Sequence, residues 1–422
     1  MLPHRSNEGP GVLKNIFSLY VLQLLSYFSP LFITPYLARV LGVEMFGLLG
    51  VCGSIVAYLS LVANWGFDLS ATQQVARSAN DPAALRSIFW NVVVAKCGLG
   101  IVCAIALTVA VALFPTLRSY GWVLVASSVA LAGNVLGVGF FLQGVERMGI
   151  FAGASIVGRL AAVPLTFIFV HSPHDAAMAA LIQGLALLAS SVASLVLAAR
   201  IAPLFPIRFS ISGALSQIRQ GATLFISTGA VSLYTYANVV MVGFLGGSGQ
   251  AGLFDGADRL RRAGQSLTAP ISAAMYPRIN GMLVHSRHKV AGTMLRLFLV
   301  QGALSLVLSA GLFFTAPFAT ILFLGKGYAA AIPVEQCLSL NIFLIGVSNV
   351  LGVNVMLPLG MARAYTCILL GSGILNMLLL LWLVALHGAL GAAESVTITE
   401  TCVAVSMGIW LWLKRQHGLL PT

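Results

Sequence analysis

Charge is scarce in this chain, and so are polar stretches. Only 8% of its 422 residues are charged, 59% are hydrophobic, and the mean hydropathy is +0.97. A soluble globular domain carries about 25% charged residues. A soluble fold is therefore excluded, and an all-α, polytopic membrane protein is expected. No polar segment much longer than about 20 residues separates the apolar runs, so a large extramembrane domain is excluded too. The six cysteines form no C-x-x-C pair and all lie in apolar runs, which reads as small buried hydrophobes rather than disulfides or metal ligands. There is no G-x-x-x-x-G-K-[ST], so no phosphate loop for ATP, and no H-E-x-x-H or G-x-S-x-G. The chain is not expected to be an enzyme. Its seven histidines lie in loops, tails or at span ends. His171, His174 and Asp175 share one short loop, where a solvated loop is the commoner outcome than a metal site.

Apolar runs are abundant. Twelve candidate spans can be drawn, at about 15–37, 45–66, 88–113, 119–142, 150–171, 176–199, 217–245, 251–279, 290–315, 332–357, 364–387 and 389–413. The first follows Arg5 and Lys14 without an A-x-A cleavage site, so it reads as a retained span. The second and eighth carry enough polar residues to escape a strict hydropathy cut. Residues 198–219, AARIAPLFPIRFSISGALSQIR, read as a linker between two six-span lobes, 1–205 and 206–422. A faint internal echo supports the halves. LGVEMFGLLG at 41–50 and LGGSGQAGLF at 245–254 each place Leu-Gly, a short loop and Gly-Leu at the start of a span. Pro30, Pro35, Pro270, Pro277 and Pro358 are expected to kink helices.

The bases orient the chain. With the N-terminus inside, fourteen Lys and Arg fall in inner loops and tails, and three (Arg39, Arg118 and Lys326) in outer loops. That asymmetry places both termini in the cytoplasm. The other six bases (Lys96, Arg159, Arg259, Arg261, Arg262 and Arg296) lie within spans. Arg296 is near enough to an end to snorkel. The clear intramembrane acids are Asp255, Asp258 and Glu400, and Asp68 sits at the edge of span two. Charge at that depth is costly, so it faces a wet cavity, pairs, or binds something. Six bases against three acids leave an excess of +3, which attracts anions. The planar donor fork of arginine suits phosphate in particular.

The densest cluster is in GLFDGADRLRRAGQSLTAPISAAMYPRI, 252–279. Asp255, Asp258, Arg259 and Arg262 follow i, i+3, i+4, i+7 and share a helical face, while Arg261 points about 100° away. Self-pairing at i, i+4 is the plain structural alternative. Glu400, within TITETC, either carries a proton through a transport cycle or pairs with a base from another span.

The opening SPLFITPYLARVLGVEMFGLLG, the following NWGFDLSATQQVARS, and the 252–279 stretch resemble the polysaccharide-biosynthesis (O-antigen, Wzx-type) flippases. That family lies in the superfamily of the multidrug and toxic-compound extruders. Asp258, Arg259, Arg262, Pro277 and Arg278 match its second-half signature, and Asn238 falls where relatives carry a polar residue. Arg261 is an extra base, and Asp68 stands where relatives often have a neutral polar residue. The resemblance implies a transporter that moves a polyprenyl-pyrophosphate-linked glycan to the outer leaflet of the bacterial inner membrane by alternating access. It also implies a central cationic cavity between the lobes. Arg259, Arg262, Arg159 and Lys96 are the expected substrate-binding bases. Glu400, Asp258, Asp255 and Asp68 are the candidates for a coupling ion, H+ or Na+. No cofactor beyond the ion gradient is implied and no nucleic-acid partner. The implied partners are the lipid-linked glycan, membrane lipid, and a polysaccharide polymerase with its chain-length regulator. The alternative is an ion-coupled drug or small-molecule exporter on the same fold, for which excess acid in the cavity would be expected. A membrane glycosyltransferase would need a sizeable outer loop, and the outer loops here are short.

Reporter fusions after residues 210 and 422 test the orientation. Both are expected to give a cytoplasmic signal, and a periplasmic signal from either would invert the topology.

Overall fold

In the computed structural model, residues 10–416 other than 79 and 286 are described. The side chains of Arg5, Lys14, Pro30 and Pro277, named above, and of Arg287, Lys289 and Arg415, three of the fourteen inner bases, lie outside the described residues. Among the described residues every regular element is helical. The α-helices are α1 Pro10–Asn64, α2 Phe67–Arg77, α3 Pro82–Leu113, α4 Pro115–Ser119, α5 Gly121–Leu136, α6 Gly139–Gly144 and α7 Met148–Phe169. They continue with α8 Ala176–Ile201, α9 Ile211–Ser266, α10 Ala269–His285, α11 Arg287–Leu324, α12 Ile332–Asn349, α13 Ala362–His387 and α14 Ala389–Gln416. Eight helical stretches among the described residues are long and apolar enough to cross a membrane. Span two is within one of them. Span eight is in none, as its polar content leads one to expect.

Two helices are too long to be straight. At 1.5 Å per residue, 55 residues of α1 or 56 of α9 would reach about 80 Å, and a bilayer with its headgroups is about 40–45 Å. Each doubles back at a glycine with positive φ: Gly42 (71°) in α1 and Gly247 (84°) in α9. Only glycine adopts that backbone without strain. The reversal is visible in the contacts. Thr34 and Gly50, eight positions either side of Gly42, meet the two members of one ion pair, Thr34 meeting Arg259 and Gly50 meeting Asp255.

The two hairpins pack on each other, and they do so reciprocally. A Cβ on Gly47 would lie 1.9 Å from the carbonyl oxygen of Ser248 and 2.4 Å from the Gly252 nitrogen. A Cβ on Gly252 would lie 2.0 Å from the carbonyl oxygen of Val43 and 3.2 Å from the Gly47 nitrogen. One sequence offset relates 42 to 247, 43 to 248 and 47 to 252. The faint echo of the sequence is thus a quasi-twofold contact in which backbone meets backbone, as small residues permit between membrane helices. Around it packs the largest apolar core, including Leu37, Leu41, Phe46, Val242, Phe254 and Ala257.

Other departures from the sequence reading are local. Span eight is not one helix to 279. It stops at Ser266 and restarts at Ala269, because Pro270 lacks an N–H and its ring clashes with the carbonyl four residues back, at Ser266. The distortion near Pro358 begins before it, as a π turn over Val350–Met356. The linker is shorter than 198–219, since α8 runs to Ile201 and α9 starts at Ile211. It is held against α3 by Arg86 Nε and Trp90 Nε1, which donate to the carbonyls of Pro203 (2.9 Å) and Leu204 (2.8 Å). Helix α2 was not expected. Its neighbour Trp65 stacks on Phe225 at 4.3 Å and donates to the Ile218 carbonyl at 2.9 Å.

Overpacking usually costs about 1–3 kcal/mol, and at the crossing the opposing atoms are backbone and cannot yield. Gly47→Leu and Gly252→Leu should each lower the thermal midpoint of the purified protein and broaden its size-exclusion peak. Gly98→Ala, with no atom within 4 Å, should leave both unchanged. Wild-type behaviour from both leucine variants would disprove the crossing.

Candidate functional site

Beneath the crossing lies a cavity of about 890 Å³. Thr34, Gly50, Gly53, Ser54 and Ala57 of α1 form one wall, and Tyr236, Asp255, Arg259, Arg262, Ala263 and Ser266 of α9 form the facing wall. Ser127 of α5 and Gln183 of α8 add polar groups, while Leu49, Leu187, Leu260 and Phe323 are apolar. The offset that pairs Gly47 with Gly252 also pairs Gly50, Gly53, Ser54 and Ala57 with Asp255, Asp258, Arg259 and Arg262. Where the second half carries charge, the first half carries small side chains. That mismatch creates the volume and places its charge on one wall.

The charges form a chain. Asp255 Oδ2 accepts from Arg259 Nε at 2.8 Å and lies 2.8 Å from its Nη2. Its Oδ1 lies 3.3 Å from Arg262 Nη2. Asp258 Oδ2 lies 3.1 Å from Arg262 Nε as an ion pair, and Oδ1 accepts from Arg261 Nε at 2.7 Å. Each carboxylate is therefore shared by two guanidiniums. The aspartate side chains are at most 10% exposed, while those of Arg259 and Arg262 are 30% and 42% exposed. Arg259 also lies over the Phe46 ring, 4.8 Å from its centroid, a cation–π contact. The i, i+4 pairs expected from the sequence are present, and the cluster still nets +1. Arg259 and Arg262 line the cavity with part of their side chains exposed.

The expected shared face divides. Asp255, Arg259 and Arg262 line the main cavity, but Asp258 does not. It turns with Arg261 into a second chamber of about 270 Å³, which Thr235, Asn238, Asn349, Tyr365 and Glu400 also line. A lone residue of a 3.6-residue turn sits near the boundary of any face, and here Arg261, buried inside the second half, draws Asp258 over. Glu400 is buried there.

The remaining expected site residues are elsewhere. Lys96 is buried in α3 and its Nζ donates to the Gly137 carbonyl at 2.6 Å, capping the C-terminal end of α5. Arg159 is exposed on α7, and neither lines the cavity. Asp68 is exposed in the first turn of α2. The six bases counted in spans thus do not gather, and among the described residues the charges on the cavity wall are Asp255, Arg259 and Arg262. Asp175 caps its own loop. It accepts from the backbone N–H of His171 (3.0 Å) and the Ser172 hydroxyl and N–H (both 2.9 Å), which hold its carboxyl below the usual carboxylate range. Among the described residues no three His, Cys, Asp or Glu are grouped to hold a metal ion.

The sequence reading missed Glu335. It is fully buried near the start of α12, and both its carboxylate oxygens lack a hydrogen-bond partner among the described residues. An acid just after a loop looks like an interfacial residue. The signal that could have found it is the preceding turn of chain, Lys326–Ala331, whose tyrosine and small residues suit an inward fold.

Comparison with known proteins gives a consistent picture. The model of the family described as "Polysaccharide biosynthesis protein" matches residues 12–283. A protein of Escherichia coli (strain K12) named "Putative O-antigen transporter" is 35% identical over 411 residues, covering 96% of this chain and 97% of its own. Two solved structures share the fold, each with a TM-score of 0.72: a multidrug resistance MATE family transporter in an inward-facing conformation and the lipid II flippase MurJ in an inward closed one. The first is 17% identical, with 94% of this chain and 95% of that one covered. The second is 11% identical, with 94% and 86% covered. With a family model matching well over half of its length and a relative of such identity along nearly all of it, this chain belongs to the polysaccharide biosynthesis protein family of multi-pass membrane proteins.

Proposed function

We propose that this protein is a flippase that moves a polyprenyl-pyrophosphate-linked glycan unit across the bacterial inner membrane by alternating access. The observation that carries the reading is the cavity wall lined by the partly exposed Arg259 and Arg262 of a net-positive cluster. A pyrophosphate offers the acceptor oxygens that arginine forks bind in pairs. About 890 Å³ is within the range that encloses one drug-sized molecule. That suits a single repeat unit and not a polymer. The E. coli relative's name and the MurJ title point to the same class of cargo.

The moving parts of the proposal are two six-helix lobes, 1–205 and 206–422, with both termini cytoplasmic. The reciprocal hairpins support two halves, and the inner-loop bases support the orientation. On that orientation the Gly42 and Gly247 turns face outward, and the cavity is roofed on the outer side by the Gly47–Gly252 crossing and the Phe46–Tyr328 contact, 6.0 Å between ring centroids. An ion gradient drives the cycle, since the chain holds no phosphate loop. The runner-up, a small-molecule exporter, draws on the apolar cavity walls.

Surface-glycan complementation with membrane protein levels measured beside it separates these readings. A charge-assisted contact is worth about 1.5–3 kcal/mol, or roughly ten- to a hundred-fold in binding. Arg259→Ala and Arg262→Ala should each cut glycan export by that order while the protein still inserts. Lysine at either position should rescue in part, keeping charge without the fork. Arg261→Ala should act through folding, because it strips Asp258 of a buried partner. Full export by the Arg259→Ala, Arg262→Ala double variant would leave only the structural ion-pair reading of the cluster.

A further inference from the structure

Among the described residues Glu335 stands apart from the acids of the second half. Asp255 and Asp258 each hold two arginines. Glu394 pairs with His387 at 2.8 Å, and Glu400 lies in the second chamber. Glu335 is 0% exposed with neither oxygen hydrogen-bonded among the described residues. Its oxygens take none of the N–H groups of the first turn of α12, so the helix terminus does not hold an anion there.

Its place in the fold is specific. Ile342 of α12 lies on Gly264 of α9, which puts Glu335, two turns earlier, level with Ala257 and Asp258. The 326–331 turn folds in above it. Tyr328 packs its ring against Gly256 and Phe46, and its buried hydroxyl is also unpartnered among the described residues. The groups around it can be named by element. On α9, Asp258 and Arg261 act on it electrostatically. On α14 the acids are Glu394 and Glu400. On α11 the described base is Arg296, which is exposed. The turn carries Tyr328 and the exposed Lys326, and on α12 itself Cys337 contacts Thr397 at 3.5 Å.

An ionised carboxylate is only an acceptor, and buried without donors it neutralises instead. A hard metal cation would need several oxygen ligands at once. The nearest carboxylate, Asp258, has both oxygens engaged, and the Arg261 guanidinium beside it repels a cation. A proton needs no such shell.

We propose that Glu335 is a proton-carrying site of this transporter, ionised while the outer side is open to water, protonated as that side closes over it, and deprotonated toward the cytoplasm before it opens again. The reset from outward- to inward-facing then requires a proton taken from the outer side. That proton is released from the same carboxyl toward the cytoplasm before the next outward step. Ionised Glu335 would compete with Asp258 for Arg261, and Asp258 shares Arg262 with Asp255. The site is therefore wired to the cavity wall through one chain of ion pairs.

The inference rests on the transporter reading, and its test has a readout that needs no glycan. Infrared difference spectra of the protein in phosphatidylethanolamine–phosphatidylglycerol vesicles at neutral pH should show the carbonyl stretch of a buried protonated carboxylic acid. It should shift in deuterium oxide and vanish in the near-isosteric Glu335→Gln. Glu335→Gln should insert normally yet lose at least ten-fold in glycan export, while Glu335→Asp keeps a displaced band and part of the export. Absence of the band, or full uncoupler-sensitive export by Glu335→Gln, would overturn the proposal. The band being present while the wild-type protein fails to restore glycan export in the complementation assay would instead overturn the flippase reading and leave the proton site standing.

Discussion

The structure depends on one contact, the backbone-to-backbone crossing of two helical hairpins at Gly47 and Gly252. Between membrane helices there is little hydrophobic gain from association, so close packing must supply the attraction, and the closest packing needs no side chain at all. The crossing sets the distance between the halves at one end. Below it the hairpin limbs face each other through residues that match in position but not in size, small in α1 and charged in α9. A cavity with charge on a single wall follows from that.

The charge is tolerable there because it is shared. Removing one member of a buried ion pair strands its partner, and here each aspartate has two partners. The chain from Arg259 through Asp255, Arg262 and Asp258 to Arg261 links the main cavity to the second chamber without a break.

Much of this was legible in the residues. Apolar run length gave nearly all the spans, because a lipid-exposed backbone must close its own hydrogen bonds and leaves helices as the available form. Helical spacing found the i, i+4 pairs of α9 and set Arg261 apart. The family was legible too, from the 252–279 stretch and the opening segment. The hairpin glycines were present as a Leu-Gly echo, but a pair of common residues carries meaning only once the two turns are seen to touch.

What the sequence by itself determined is that this chain lies in a membrane, with arginines and aspartates on one helix at a depth where charge is not idle. Tertiary structure alone decided which charges meet. Lys96 and Arg159 were counted with the cavity bases, yet Lys96 satisfies the end of α5 and Arg159 is exposed on α7. Asp258 was placed on the cavity face and instead turns toward Arg261. Glu335, three residues into span ten, was not counted among the charges of the spans, and its burial beneath the 326–331 turn is visible only in the fold. The reason is the same in each case. Periodicity fixes the direction of a side chain about its own helix axis, whereas burial and partnership depend on the neighbour across the gap, and that neighbour is set by packing between segments far apart in the chain.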